Sequence, residues 1–352
     1  MTTPLLVQAL HRQPVSRPPV WLMRQAGRYL PEYRAVRTHF KDFIQFCLTP
    51  DAATEVTVQP VNRFGLDAAI IFSDILTIPH ALGHAVTFTE GHGPRVQPFT
   101  DPDQLTGMID LLPEVSGRLA NVSQTIRQTR AALPAEKAVI GFCGGPFTLA
   151  CYMLDEKPSL GIPNTLRLAE HEPATFTALL ATLTEACAVY LSDQISAGAN
   201  AVQVFESWAL AAPAHLWSIA VEGPLLALSR KVQAAHPGFP VILFPRGATN
   251  AQLQALAAQS ANTFHGLSLF TETDIRWASQ ALQPTVTIQG NLDPALTTGE
   301  PGPLIAALKT MLDIAAPHPG YIVNLGHGLT PQTRPENVQH IVDTIRAWQA
   351  PA

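Results

Sequence analysis

PATFTALLATLTEACAVYLSDQISAGANAVQVFES, residues 173–207, decides the fold class. Its first part, 173–197, is a long amphipathic stretch opened by Pro173, as a helix is. Gly198 punctuates it. Residues 201–205 (AVQVF) form a short run that is apolar on both faces, as a strand buried inside a parallel sheet is. Glu206 and Ser207 then give that strand a polar end. A helix leading into a buried strand is half of a βαβ unit.

The same alternation extends in both directions. Strand-like runs fall at 20–23, 68–72, 138–143, 201–205, 241–244, 266–269, 286–289 and 321–325. Helical patterns between and after them cover 50–64, 102–132, 173–197, 223–235, 250–259, 274–282, 303–315 and 335–349. Thr49 before Pro50 predicts an N-cap. Thr333 with Glu336 three residues on predicts a capping box for the last helix. No linker-like shift in composition divides the chain. The expectation is one domain over residues 1–352, a single (β/α)₈ barrel of the TIM type with its site at the C-terminal ends of the strands. An open doubly wound sheet is the alternative, but the GxGxxG loop that would support it is missing.

Composition narrows the function classes. Of 352 residues, 47% are hydrophobic and only 14% charged, so the chain has a large interior and no disordered-tail character. A net charge of −5 argues against wholesale nucleic-acid binding. The 31 prolines are dispersed and mark many loops. Cys47, Cys143, Cys151 and Cys187 show no CxxC spacing. The N-terminal residues lack a signal-peptide layout, and no run of roughly 18 apolar residues predicts a membrane span. Reduced thiols and a cytoplasmic location are expected, with no membrane partner.

Charge is unevenly placed. Residues 1–41 hold seven basic side chains (Arg12, Arg17, Arg24, Arg28, Arg34, Arg37, Lys41) against one acid, Glu32. A solvated helix face is one reading. A clamp for an anionic ligand is the other, because arginine presents a fixed fork of donors to carboxylates. Polar residues also gather where the strands end: Arg24, Ser73 and Asp74, Gly144 and Gly145, Glu206 and Ser207, Arg246, the 289–293 run, and Gly326-His327-Gly328. That places a site without naming a reaction.

WLMRQAGRYLPEYR (21–34), FSDIL (72–76), GGPFTLACYM (144–153), QVFESWA (203–209), QGNLDP (289–294) and NLGHGLTPQTRPENV (324–338) occur in this order. Together they resemble the uroporphyrinogen decarboxylase family over nearly the whole chain. Arg334 departs from the family pattern, in a loop to which no function is attached. The resemblance implies a (β/α)₈ barrel, usually a homodimer, that uses neither metal nor organic cofactor. It implies conversion of the four acetate side chains of uroporphyrinogen III to methyl groups, giving coproporphyrinogen III and carbon dioxide in haem biosynthesis. It also implies substrate-binding roles for Arg24, Gln25, Ala26, Gly27, Arg28, Asp74, Tyr152, Ser207 and His327, and catalytic roles for Asp74 and Arg24.

These residue types suit that chemistry. An octacarboxylate needs a positive mouth, which Arg24 and Arg28 provide on a shared helix face or, if RQAGR is a loop, beside a close-approaching Gly27. The amides of residues 25–27 are further donors. Decarboxylation needs an electron sink, and a protonated pyrrole is one; Asp74 is placed as its counter-charge. A helix-capping Asp is the alternative for Asp74. Arg24 is the proton source by analogy, yet a guanidinium with a pKa above about 12 is a poor donor, so relay or binding stays open. Tyr152 and His327 read as carboxylate donors.

Other features carry less. His80, His84 and His92 sit in a Gly- and Pro-rich loop with no completing Asp or Cys, so no metal is expected. A zinc-dependent corrinoid or thiol methyltransferase of the same barrel superfamily is the competing enzyme reading, but Cys143 and Cys151 lack a His partner motif. A tetrapyrrole binder without catalysis is the third. It needs no carboxylate at the centre of an octa-anion's site.

Overall fold

In the computed structural model, residues 3–89, 93–101, 103–155 and 157–349 are described. Among these residues nine strands occur in chain order: β1 (Ala68–Ile70), β2 (Val86–Thr89), β3 (Gly93–Val96), β4 (Ala138–Gly144), β5 (Ala201–Glu206), β6 (Val241–Pro245), β7 (Gly266–Ser268), β8 (Thr287–Gln289) and β9 (Tyr321–Ile322). Seven of them form one parallel sheet in the order β1-β4-β5-β6-β7-β8-β9. Each pairs with the next in sequence on that list, with Ile140 beside Ala201 and Val202 beside Val241. Every residue of β4, β5 and β6 is buried, which is why these runs carry no polar alternation.

The expected strand at 20–23 is not one. Val20 makes an isolated parallel bridge to Val323. Around it, the Val323 amide donates to Pro19 O at 2.9 Å and the Asp67 amide donates to Val20 O at 2.9 Å. Residues 19–21 thus touch both the start of β1 and the end of β9, and the sheet is curled. Pro18 and Pro19 have no N–H to give a ladder, and the chain turns away at Arg24, whose φ is +63°. Side chains strengthen the junction. Arg17 grips Asp67 with two bonds of 2.7 and 2.8 Å, and Trp21 Nε1 donates to the buried Gln289 Oε1 at 2.9 Å.

Other expectations shift in detail. The 321–325 run shrinks to two ladder residues. Residues 102–132 are not one helix: Asp103–Leu111, a 3₁₀ turn at Leu112–Glu114, Val115–Arg118 and Ala120–Ala132 follow one another, broken near Pro113. Pro102 itself lies outside the described residues. The capping box at Thr333 is absent. Arg334 occupies the N-cap, and the Thr333 hydroxyl bonds instead to Thr297 at 2.9 Å. Thr49 is the N-cap as expected, but its hydroxyl donates back to Gln45 O.

Several elements escape the sequence patterns, among them the helices Leu5–Leu10, Pro31–Arg37 and Pro163–His171. β2 and β3 form an antiparallel hairpin where a loop was expected, held to the body by a cluster of Tyr33, Phe40, Phe43, Phe46, Phe72 and Phe88 rings. A helix at Pro146–Leu154 is buried at every residue except Tyr152, so it shows no apolar stripe. The helix Pro173–Ser196 has the length and mean hydropathy, 1.5, of a membrane span, but most of it is buried within the fold.

Candidate active site

The turn after β1 carries Asp74. One carboxylate oxygen, Oδ1, accepts the Leu76 amide at 2.8 Å, and the Asp74 carbonyl accepts the Thr77 hydroxyl at 2.8 Å. The structural alternative for Asp74 is therefore half realised: one oxygen ties the turn, and the other has no bond within the chain among the described residues. Burial pushes the Asp74 pKa up to about 6, against the opposing pull of the Leu76 amide and the Arg24 guanidinium. At neutral pH it is an anion held at some cost.

The RQAGR motif is a loop, which settles the choice left open by its spacing. Gln25 fixes it. Its amide donates to Leu22 O at 2.9 Å, its Oε1 accepts Leu22 N at 3.1 Å, its Nε2 donates to Ala68 O at 3.1 Å and its carbonyl accepts the Tyr29 hydroxyl at 2.9 Å. The side chain is fully buried, so Gln25 shapes the loop and presents no side-chain group to a ligand. The Gln25 amide is likewise committed. The Ala26 and Gly27 amides have no partner in the chain among the described residues. A Cβ on Gly27 would lie 3.0 Å from Arg24 O, so glycine suits this close turn.

The basic segment divides into two groups. Arg17 is bound to Asp67, Arg34 to the carbonyls of Arg28 and Tyr29, and Arg37 to Phe40 O and the faces of Phe43 and Phe46. Arg12 holds Gln283 O. Arg24 and Arg28 remain exposed, with no carboxylate or hydrogen-bond partner among the described residues. Lys41 is likewise exposed without a partner among the described residues but lies beyond the helix Pro31–Arg37, so the loop's contribution to the mouth is Arg24 and Arg28.

Arg24 lies along Gly328, where a Cβ would collide with its aliphatic stem. That brings it beside His327, which is half-buried. His327 Nδ1 accepts the Gly328 amide at 2.8 Å, which leaves the proton of the neutral ring on Nε2 as a donor. Burial, with the charges of Arg24 and Arg246, pulls the His327 pKa down to about 4. Tyr152 stands edge-on to Trp208 with ring centroids 6.1 Å apart, and burial keeps its phenol protonated. Ser207 is half-buried with an uncommitted hydroxyl. Arg24 acts electrostatically on Asp74, Tyr152 and His327, so four of the expected residues share one region.

Two residues at strand ends had no assigned part in the sequence reading. Glu206 turns inward, wholly buried, and takes hydrogen bonds from the amides of Phe147 (3.2 Å) and Thr148 (2.6 Å) and from the Thr148 hydroxyl. It thereby caps the helix that bears Tyr152. Burial pushes its pKa up to about 8, with those three donors opposing. A Cβ on Gly145 would collide with this carboxylate. Arg246, after β6, lies over the Phe270 ring at 5.2 Å. Its position and charge were legible; its relation to the site was not.

Among the described residues, no group of three or more His, Cys, Asp or Glu side chains is arranged to hold a metal ion. His84 is bound to Gln97 O at 3.0 Å. His92 lies outside the described residues. All four cysteines are buried and free, and burial holds the thiols of Cys47, Cys143 and Cys151 protonated. A zinc thiolate site finds no support in them.

The chain is 44% identical to a uroporphyrinogen decarboxylase of Rhizorhabdus wittichii, covering 98% of each chain. It is 42% identical to one of Rhodospirillum rubrum, covering 97% of this chain and 96% of the other. A methyltransferase from Methanosarcina mazei shares the fold, with a TM-score of 0.79 at 20% identity over 98% of this chain and 99% of that one. A sequence model of uroporphyrinogen decarboxylase (URO-D) matches residues 1–348, and the chain belongs to that family.

Proposed function

We propose that this chain decarboxylates uroporphyrinogen III, turning its four acetate side chains into methyl groups and releasing coproporphyrinogen III and four molecules of carbon dioxide. The observation that carries the reading is Asp74: a half-buried carboxylate with one uncommitted oxygen, set beside Arg24, which has no carboxylate partner among the described residues.

Each turn begins with a proton added to a pyrrole carbon. The C–C bond to the carboxylate then breaks, and its electron pair flows into the ring as carbon dioxide leaves. The exocyclic methylene takes up a proton to become methyl, and the ring gives one back. One proton is consumed per carbon dioxide. The reaction itself requires no electron carrier. Asp74 accepts hydrogen bonds from pyrrole N–H groups and binds the ring more strongly as it becomes cationic, which lowers the barrier. Arg24, Arg28 and the amides of Ala26 and Gly27 hold carboxylates; Tyr152, Ser207 and the His327 Nε2–H complete the grip. Arg24 acts near the reacting arm, as a relay or as an electrostatic partner. Gln25 serves by shaping the loop.

The finer architecture follows the same reading. We take residues 19–21 as the position of an eighth strand, closing a (β/α)₈ barrel in a single domain; their bonds to Asp67 and Val323 support this. A cytoplasmic homodimer is proposed, for which the exposed Leu160, Leu210 and Ile219 are candidate contacts. Light scattering decides the oligomer. For the activity, purified protein is incubated anaerobically with uroporphyrinogen III and the products are separated by mass. Loss of four carboxyl groups is expected; recovery of the intact octacarboxylate from folded protein would refute the proposal.

A further inference from the structure

A third cation at the site has no carboxylate partner among the described residues. Arg246 follows β6 directly, and its own amide donates to Glu206 O at 3.1 Å, so it sits beside Ser207 at the end of β5. Gly247 turns the chain behind it with φ +77°. The guanidinium lies over the Phe270 ring, 5.2 Å from its centroid, and reaches Ser207 O with one long bond of 3.4 Å. Its Nε is buried and has no acceptor. No carboxylate lies within ion-pair distance of it among the described residues. The charges that act on it are Arg24 and Glu272, and it acts in turn on His327.

An arginine held half-buried against a like charge, with its donors largely unused, is a group awaiting an anion. The contact with the aromatic face and the Ser207 carbonyl restrain the guanidinium, and its planar fork suits a two-point contact with a carboxylate. We infer that Arg246 is a substrate-binding residue that takes one carboxylate of the tetrapyrrole, alongside Arg24 and separately from Arg28. The inference rests on the decarboxylase reading. It adds to the basic N-terminal loop a contact from the other side of the sequence, carried by a rigid strand end, and it gives the Ser207 region a charge to work with.

Arg246→Met keeps an unbranched apolar side chain at this position and removes the fork. Since the guanidinium makes only one long bond inside the chain, the variant should fold, with thermal unfolding within a few degrees of the parent. The expected result is a KM for uroporphyrinogen raised tenfold or more with kcat changed less than threefold. A KM within twofold of the parent, or a loss confined to kcat, overturns the inference. Arg246→Lys retains the charge, and binding of coproporphyrin III, which cannot react, is followed by fluorescence quenching. Affinity three- to tenfold weaker than the parent is expected, and unchanged affinity overturns the inference. Failure of the decarboxylase reading is seen separately, as absence of carboxyl loss in the parent protein.

Discussion

Replacing Asp74 by Asn separates charge from shape. The amide oxygen can still accept the Leu76 N–H, so the turn after β1 survives. What disappears is a carboxylate whose pKa is pushed from an ordinary 3.8 to about 6 by burial. A shift of about two units corresponds to about 3 kcal/mol for holding the ionised form in the fold. Water reaching the half-buried side chain reduces this to between about 1 and 3 kcal/mol. The sign follows from linkage. A carboxyl with a raised folded pKa binds its proton more tightly in the folded state, so its contribution to stability is full below pH 4 and is lost as pH rises through 6. The Asn variant escapes that loss. Urea unfolding at pH 7.5 should show it about 1–3 kcal/mol more stable than the parent, and at pH 4.5 the gap should largely close. Turnover should move the opposite way, with kcat on uroporphyrinogen falling by about 10² to 10³, the usual cost of removing a preorganised charge contact. A variant that is less stable at pH 7.5, or one that keeps kcat within threefold, would refute the reasoning.

Four further outcomes follow. The kcat/KM profile should fall about tenfold per pH unit below about 6, as Asp74 takes up its proton and ceases to balance the ring cation; a profile flat to pH 5 would contradict this. Arg28→Ala should raise KM more than it lowers kcat, measured by initial rates, because the guanidinium is exposed and makes no bond within the chain. His327→Ala should raise KM about tenfold, the loss of roughly 1.5 kcal/mol from a bond to a charged acceptor, whereas His327→Gln, which keeps a donor, should stay within about threefold. Gly145→Ala should destabilise the fold by about 1–3 kcal/mol in urea titration, because the added methyl meets the buried Glu206 carboxylate.

What the sequence revealed depended on how local the cause was. Strands β4, β5 and β6 are buried on both faces, and that alone makes them continuous apolar runs readable without a structure. The hairpin of β2 and β3 was not readable. It is largely exposed at Gly93–Val96, and its order comes from rings contributed by distant segments. The helix Pro146–Leu154 hid for the opposite reason, being buried nearly all round. At the site, Asp74 and His327 stood out by type and position. Gln25 and Glu206 did not reveal their parts, because a polar side chain turned inward to bond the backbone looks, in sequence, like one turned towards a ligand. The charge count misled in a similar way: seven basic residues near the N-terminus read as one clamp, yet Arg17, Arg34 and Arg37 have partners of their own.

The decisive experiment is a crystal structure with coproporphyrinogen bound: an Asp74 carboxylate oxygen should lie within hydrogen-bond distance of the pyrrole N–H groups, with Arg24 and Arg28 on carboxylates of the same molecule. Asp74 turned away from the nitrogens, or the ligand seated anywhere but at the C-terminal ends of the strands, would contradict the account.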